Sequence, residues 1–292
     1  MTHRRDAPAA VRWTIYVAVA IVFAIACAFL SNWQFTRNAH RSEQLALVAA
    51  NYDAEPLPFA EVIPEGGSLD PADEWRPVIL TGVYLADDEL LARNRAHGGT
   101  AAYEVLVPFE LDDGRVVLVD RGWVAPGEKQ SEPDVIPAPP AGDVTVIVRL
   151  RPGEPLPASG RSAPEGQVPT IHLPTVAGEI DPAAGAALEQ SAYGVMVSED
   201  PAPPTRPQAI ASPSDDPGPH LSYAVQWILF AIMGFVFIGY IIRTERARRR
   251  EDAEDAAARR AGEVPAPPQR PKRARRDRDA DAEDALVDST GR

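Results

Sequence analysis

The chain has 292 residues, with 42 Asp/Glu against 29 Lys/Arg, a net charge of −13 and a single cysteine. One thiol excludes an internal disulfide and any metal site built on a thiol pair. The acid excess lies in residues 31–219, with 29 Asp/Glu against 12 Lys/Arg, which argues against nucleic acid and anionic lipid as partners of that stretch.

Taken in order, Arg4, Arg5 and Arg12 precede an uncharged run, Trp13 to Leu30, long enough for a helix to cross a bilayer. A cleaved signal sequence is the rival reading, with Ala26-Cys27-Ala28 as its small-residue patch. The apolar run continues past that patch through Phe29-Leu30, so a retained helix is expected. Trp33 then suits the aromatic belt at a membrane surface, and a polar helical stretch is predicted through about Ala50. Glu55 to Pro71 reads as a loop rich in Pro and Gly.

The centre of the chain reads as strands. Trp75–Tyr84, Glu89–Arg95, Tyr103–Leu111, Gly114–Val124, Val144–Arg151 and Tyr193–Ser198 alternate or run apolar between turn signals. Asp112-Asp113-Gly114 is a hairpin turn signal. The expected fold is therefore a mainly antiparallel β domain, barrel-like or sandwich-like, with Val78, Leu80, Leu106, Val107, Leu118 and Val119 on its apolar faces. Adjacent apolar residues on one strand point to opposite faces, so loops or a helix must cover part of that set. Ser131–Gly142, Pro152–Pro169 and Asp200–Pro219 read as extended segments without helix.

A second uncharged run, Leu221 to Ile242, follows, and Arg243, Arg246, Arg248, Arg249 and Arg250 come directly after it. Basic residues outside both runs put both termini in the cytoplasm. The expected organisation is a cytoplasmic segment 1–12, a transmembrane helix 13–30, an extracytoplasmic β-rich domain 31–219, a transmembrane helix 221–242, and a cytoplasmic tail 243–292. That tail mixes Arg with Asp and Glu and has too few large apolar residues to bury a core, so it is expected to be largely disordered beyond a helical extension to about Ala261.

None of the five histidines pairs with another at metal-ligand spacing, and no phosphate-binding glycine loop or nucleophile elbow occurs. Asp120-Arg121 and Arg93-Asn94-Arg95 end strands. Alternation puts Arg93 and Arg95 on one face with Asn94 on the other, and an Asp120–arginine pair across adjacent strands is the simplest use of these charges. Glu104 reads as a strand-face residue, and Asp87-Asp88-Glu89 as a solvated turn.

His220 stands at the entrance to the second run, just after Pro219. With a helix starting at Leu221, His220, Tyr223, Ala224 and Trp227 lie near one face. Two readings follow. In one, His220 is an interfacial histidine bonded to headgroups or a loop carbonyl. In the other, its neutral imidazole is an axial ligand to heme iron, with the flanking stripe against the porphyrin.

Six motifs in order resemble the Surfeit locus family of membrane assembly factors for cytochrome c oxidase. They are Trp33-Gln34-Phe35-x-Arg37, Arg76-Pro77-Val78-x-Leu80-Thr81-Gly82-x-Tyr84, Glu89-Leu90-Leu91-x-Arg93-Asn94-Arg95, Tyr103-Glu104-Val105-Leu106-Val107-Pro108-Phe109, Asp113-Gly114-Arg115-x-Val117-Leu118-Val119-Asp120-Arg121-Gly122-Trp123-Val124, and His220-Leu221-x-Tyr223-Ala224-x-Gln226-Trp227. The chain departs from the family's pattern at Ala101-Ala102, where glycine is usual, and at Gly218-Pro219, where asparagine often precedes the histidine.

The resemblance implies an assembly factor rather than an enzyme, which binds or hands over heme a during oxidase biogenesis. Its partners would be the oxidase catalytic subunit, other assembly factors and the lipid bilayer of a bacterial plasma membrane, with no nucleic acid. His220 matches the histidine implicated in heme binding, so the implied cofactor site is His220, Tyr223 and Trp227, with His220 on the iron. A structural accessory subunit of the mature oxidase or supercomplex remains an alternative, as does a membrane-anchored extracytoplasmic enzyme.

Overall fold

The computed structural model describes residues 9–260 apart from 98, 159 and 161. Most of the tail expected to be disordered lies outside the described residues. The chain divides into two compact units, one of residues up to Gln34 and from Ser222 onward, the other Phe35–Leu221.

Two helices supply the first unit. Helix α1 runs Ala9–Asn51 and α5 runs His220–Arg260, so the apolar runs 13–30 and 221–242 are segments of much longer helices. At about 1.5 Å per residue each exceeds the roughly 30 Å hydrocarbon core of a bilayer, and both are long and apolar enough to cross a membrane. Their large apolar side chains, among them Val22, Phe29, Val236 and Phe237, are exposed, the reverse of a helix in a soluble core. Small residues let the two backbones approach. Ala20, Cys27 and Ala224 are buried, and Ser31 Oγ donates to the Ala224 carbonyl at 2.9 Å. Glu245 takes the Arg12 guanidinium and the Trp13 indole N–H at the other end of the pair.

In the second unit, β1 (Leu57–Pro58) and α2 (Phe59–Val62) lead into β2 (Pro77–Tyr84), β3 (Leu90–His97), β4 (Thr100–Leu111), β5 (Val116–Val124) and β6 (Val144–Arg151). After β7 (Gln167–Val168) come α3 (Leu173–Glu179), α4 (Pro182–Ala187) and β8 (Tyr193–Asp200). The six expected strands are present. The sheet, however, is mixed rather than purely antiparallel, because β5 pairs parallel with β8, β1 with β2, and β3 with β7.

Five strands close on themselves in the order β2-β6-β8-β5-β4, with the β4–β2 pairing completing the ring. Numbered by sequence, the ring is first–fourth–fifth–third–second with third and fifth parallel, the strand order of an OB-type Greek-key barrel. Closure brings β2 so near β4 that a Cβ at Gly82 would meet the Glu110 carbonyl oxygen at 1.9 Å. Inside sit Val78, Leu80, Val107, Phe109, Val119, Val146 and Val148. The opposite face of β3, β4 and β5 carries Leu90, Leu106 and Leu118, covered by Ile171, Leu173, Val176 and Ile180. The cover demanded by the doubly apolar strands is thus α3 and α4, elements that the sequence pattern does not announce.

Candidate functional site

Two β-bulges concentrate ionisable residues on the outer face of the barrel. Ala92 pairs with Glu104 and Arg95 with Ala102, so β3 holds one extra residue, at a kink where Asn94 has φ 58°. On the other flank of β4, Glu104 pairs with Trp123 and Leu106 with Asp120, so β5 also holds one extra, beside Gly122 at φ 123°. Paired residues share a face. The bulges therefore bring Arg95, Glu104, Asp120 and Trp123 to one side, where unbroken alternation would split them.

The buried Glu104 is the hub. Its carboxylate meets Arg95 Nε at 2.5 Å and His97 Nε2 at 2.9 Å. Arg95 turns its two terminal nitrogens to Glu154 at 3.0 and 2.8 Å, a bidentate pair. His97 stacks flat on Trp123, with ring centroids 5.3 Å apart. Burial alone would lower the Arg95 pKa, but the Glu154 hydrogen bonds and the Glu104 charge more than offset it and raise it. Burial likewise opposes ionisation of Glu154, yet Arg95 holds that carboxyl below its usual range.

Asp120 does not form the arginine pair expected of it. It accepts the Gly122 N–H at 3.0 Å, and burial followed by the Glu104 charge raises its pKa well above the ordinary value. Arg121 faces the other way, into the barrel, where it is fully buried and pairs with Glu199 at 2.9 Å. It also donates to the Pro137 carbonyl at 2.8 Å, and the Tyr84 hydroxyl donates to Glu199 at 3.1 Å. Burial and then the Glu199 charge push the Tyr84 pKa up. This triad is closed on itself and offers no open acid or base.

The proline-rich segment 201–219 links this face to the head of α5. Trp123 and Gln208 exchange both backbone hydrogen bonds at 2.8 Å, and a Cβ at Gly122 would lie 2.4 Å from the Gln208 carbonyl oxygen. Only glycine admits the segment here. Further on, the Arg41 guanidinium donates to the carbonyls of Ser214 at 2.7 Å and Asp216 at 3.0 Å. Asp216 in turn accepts the Gly218 N–H at 2.8 Å.

His220 opens α5, half-buried, one residue earlier than the expected helix start. Tyr223 is 47% exposed, while Trp227 is half-buried and meets Phe230 edge-on at 5.7 Å. Ala224 is fully buried beside Ser31, so it belongs to the helix pairing rather than to an open stripe. Among the described residues no three His, Cys, Asp or Glu side chains gather as metal ligands. A heme would ask the protein for one or two axial donors, because the porphyrin supplies four nitrogens, and the His220 imidazole is one donor of that kind.

Sequence reasoning picked out His220, Tyr223, Trp227, Asp120 and Glu104 but not the roles of His97, Glu154 or Gln208. The first two become neighbours of the hub only through the bulge and the β6–α3 connection. Gln208 meets Trp123 only when the proline-rich segment folds back on β5.

The SURF1 family profile matches residues 21–232. Uncharacterised SURF1-like proteins of Mycobacterium bovis and Mycobacterium tuberculosis are 36% identical over 245 residues, 82% of this chain and 88% of theirs. The cytochrome oxidase assembly protein SHY1 of Saccharomyces cerevisiae is 31% identical over 123 residues, 40% of this chain and 30% of that protein. The matched span runs from the apolar part of α1 through the whole barrel to the apolar part of α5, and the chain belongs to the SURF1 family.

Proposed function

We propose that this protein is a membrane-bound assembly factor for cytochrome c oxidase and that it holds heme a during biogenesis through His220. The reading rests first on the likeness to a yeast protein named for oxidase assembly. The structural observation that carries the finer part is an imidazole at the head of a helix long and apolar enough to cross a bilayer. In this reading α1 and α5 cross a bacterial plasma membrane, both termini are cytoplasmic, and the barrel is extracytoplasmic. Arg12 before the first apolar run and Arg243 after the second support that orientation. The partners are the oxidase catalytic subunit and other assembly factors.

His220 is the iron donor. Tyr223 and the half-buried Trp227, three and seven residues on, supply aromatic surface near the macrocycle. The bound group would contribute the redox-active iron that the finished oxidase needs, and this chain's part is to bind and orient it.

The test is His220→Ala at native expression in a deletion strain. The variant should insert and accumulate normally, because the span stays apolar. Heme retained on the purified protein should fall by about tenfold or more, and oxidase activity should fall with it. Full restoration of oxidase by the variant would mean that His220 is no ligand. Fusion reporters at both termini test the orientation, and an extracytoplasmic terminus would overturn it.

A further inference from the structure

A cleft on the barrel supports an inference independent of the heme reading. Just beyond the hub, Arg93, Asn94, Arg95, Pro157, Ser162, Pro169 and Thr170 line an open cleft of about 500 Å³. Its polar lining is unevenly satisfied. Arg95 is saturated by Glu104 and Glu154. By contrast, Arg93 Nε and Thr170 Oγ1 are buried atoms with no hydrogen-bond partner among the described residues. Buried polar atoms left without partners are uncommon in folded proteins and call for a cause. Here two of them, a guanidinium N–H and a hydroxyl, border the same cleft. The strand is kinked at the adjacent Asn94, which takes a left-handed conformation and stays exposed. Such a kink beside a site re-aims side chains that a regular strand would place elsewhere.

From this cleft we infer a binding site for a carboxylate, with Arg93 as its cationic anchor and the Thr170 hydroxyl as a second donor. A guanidinium presents parallel N–H groups that match the two oxygens of a carboxylate. The charge around it selects a monoanion. Glu154 and Glu104 both lie against Arg95, and Arg95 holds the Glu154 carboxyl ionised. Arg93 is thus the one uncompensated cation among the described residues lining the cleft, and a phosphate dianion would meet more repulsion than attraction. Pro157 and Pro169 give the cleft apolar walls for the carbon chain behind the carboxylate. The carboxylate can come from a chain terminus or from an acidic side chain, and the two are separable by probe.

The experiment uses the full chain in detergent micelles with 15N-labelled arginine side chains. N-acetylglycine stands in for a chain terminus, the α-amide of N-acetylglutamate for an acidic side chain, and inorganic phosphate for a dianion. A saturable downfield shift of one Nε–H resonance is expected with at least one carboxylate, and the tighter of the two identifies the source. That resonance should vanish in Arg93→Gln. Thr170→Val should weaken binding several-fold, and the exposed Arg206→Gln should leave it unchanged. The proposal is overturned if no resonance shifts saturably, if phosphate binds more tightly than both carboxylates, or if the shifting resonance persists in Arg93→Gln. Should Arg93→Gln fail to fold, Thr170→Val decides the matter, and undiminished affinity there overturns the assignment.

Discussion

Asp120 and Arg121 are neighbours on β5, yet the strand sends them into regions of opposite chemistry. Arg121 enters the barrel, where Glu199 and the carbonyls of Pro137 and Ala138 take its donors and the Tyr84 hydroxyl donates to the same Glu199. Asp120 goes to the outer face, beside Glu104, Arg95 and Glu154, where two bulges and an open cleft interrupt the regular sheet. The interior charges form a sealed pair, costly to break and closed to ligands. In the outer cluster Arg95 and Glu154 stay partly exposed while Glu104 and Asp120 are buried, and burial with the Glu104 charge raises the Asp120 pKa. A sealed pair serves the fold, whereas a half-open cluster next to unpartnered donors can meet a ligand.

The sharpest way to break this contrast is Arg121→Ala, which strands the Glu199 carboxylate inside the barrel. Stability should fall by about 3–5 kcal/mol, enough to lose the folded domain, read as lost near-ultraviolet dichroism and protease resistance. Replacing both partners with Met and Leu should recover most of that loss, since neither charge is then left unpaired. A wild-type melting curve for Arg121→Ala would refute the sealed-pair view.

Gly122→Ala should come next, at about 2 kcal/mol or more. Its Cβ would collide with the Gln208 carbonyl, and Gly122 holds a positive φ. Both Trp123–Gln208 hydrogen bonds should open, so amide exchange at Gln208 should accelerate sharply while the barrel interior stays protected.

A third test separates the outer cluster by pH. The Asp120 pKa is raised by burial and by Glu104, so the folded protein holds this proton more tightly than the unfolded chain. That contribution is complete below about pH 4 and is lost as pH rises through the native titration. Asp120→Asn keeps the acceptor for the Gly122 N–H and removes the titration. Its melting temperature should therefore decline less than wild type on the alkaline side. Glu154 works in the opposite sense, because its depressed pKa adds stability that disappears as pH falls. Both proteins should thus share the same acid-side loss. Parallel curves across the whole range would show that Asp120 does not carry this pH dependence.

The smallest effect is expected of Arg41→Met. It removes three charge-assisted bonds to exposed carbonyls, worth about 1 kcal/mol in total once solvent competes. The domain should melt normally, while residues 209–219 become more open to limited proteolysis.

Much of this was legible from the residues. The apolar runs and their arginine flanks set the helical frame, and turn chemistry with alternation located all six main strands. Val78, Leu80, Leu106, Val107, Leu118 and Val119 are all fully buried as expected, because burial follows from local pattern once a strand is assigned. The place of His220 at the head of α5 was legible too, because it directly precedes an uncharged apolar run.

Tertiary structure alone decided the rest. Parallel pairing of β5 with β8 joins strands nearly 70 residues apart in sequence, and no local pattern encodes such a partner. The bulges at Asn94 and Gly122 moved Arg95 and Trp123 to faces that simple alternation denies them. They thereby replaced the expected Asp120–arginine pair with a Glu104 hub. Segment 201–219 reads only as proline-rich and extended. Its docking on Trp123 exists because Gly122 lacks a Cβ, and that requirement appears only when the two backbones meet. Periodicity is a property of neighbours in sequence, whereas register, closure and charge pairing are properties of neighbours in space.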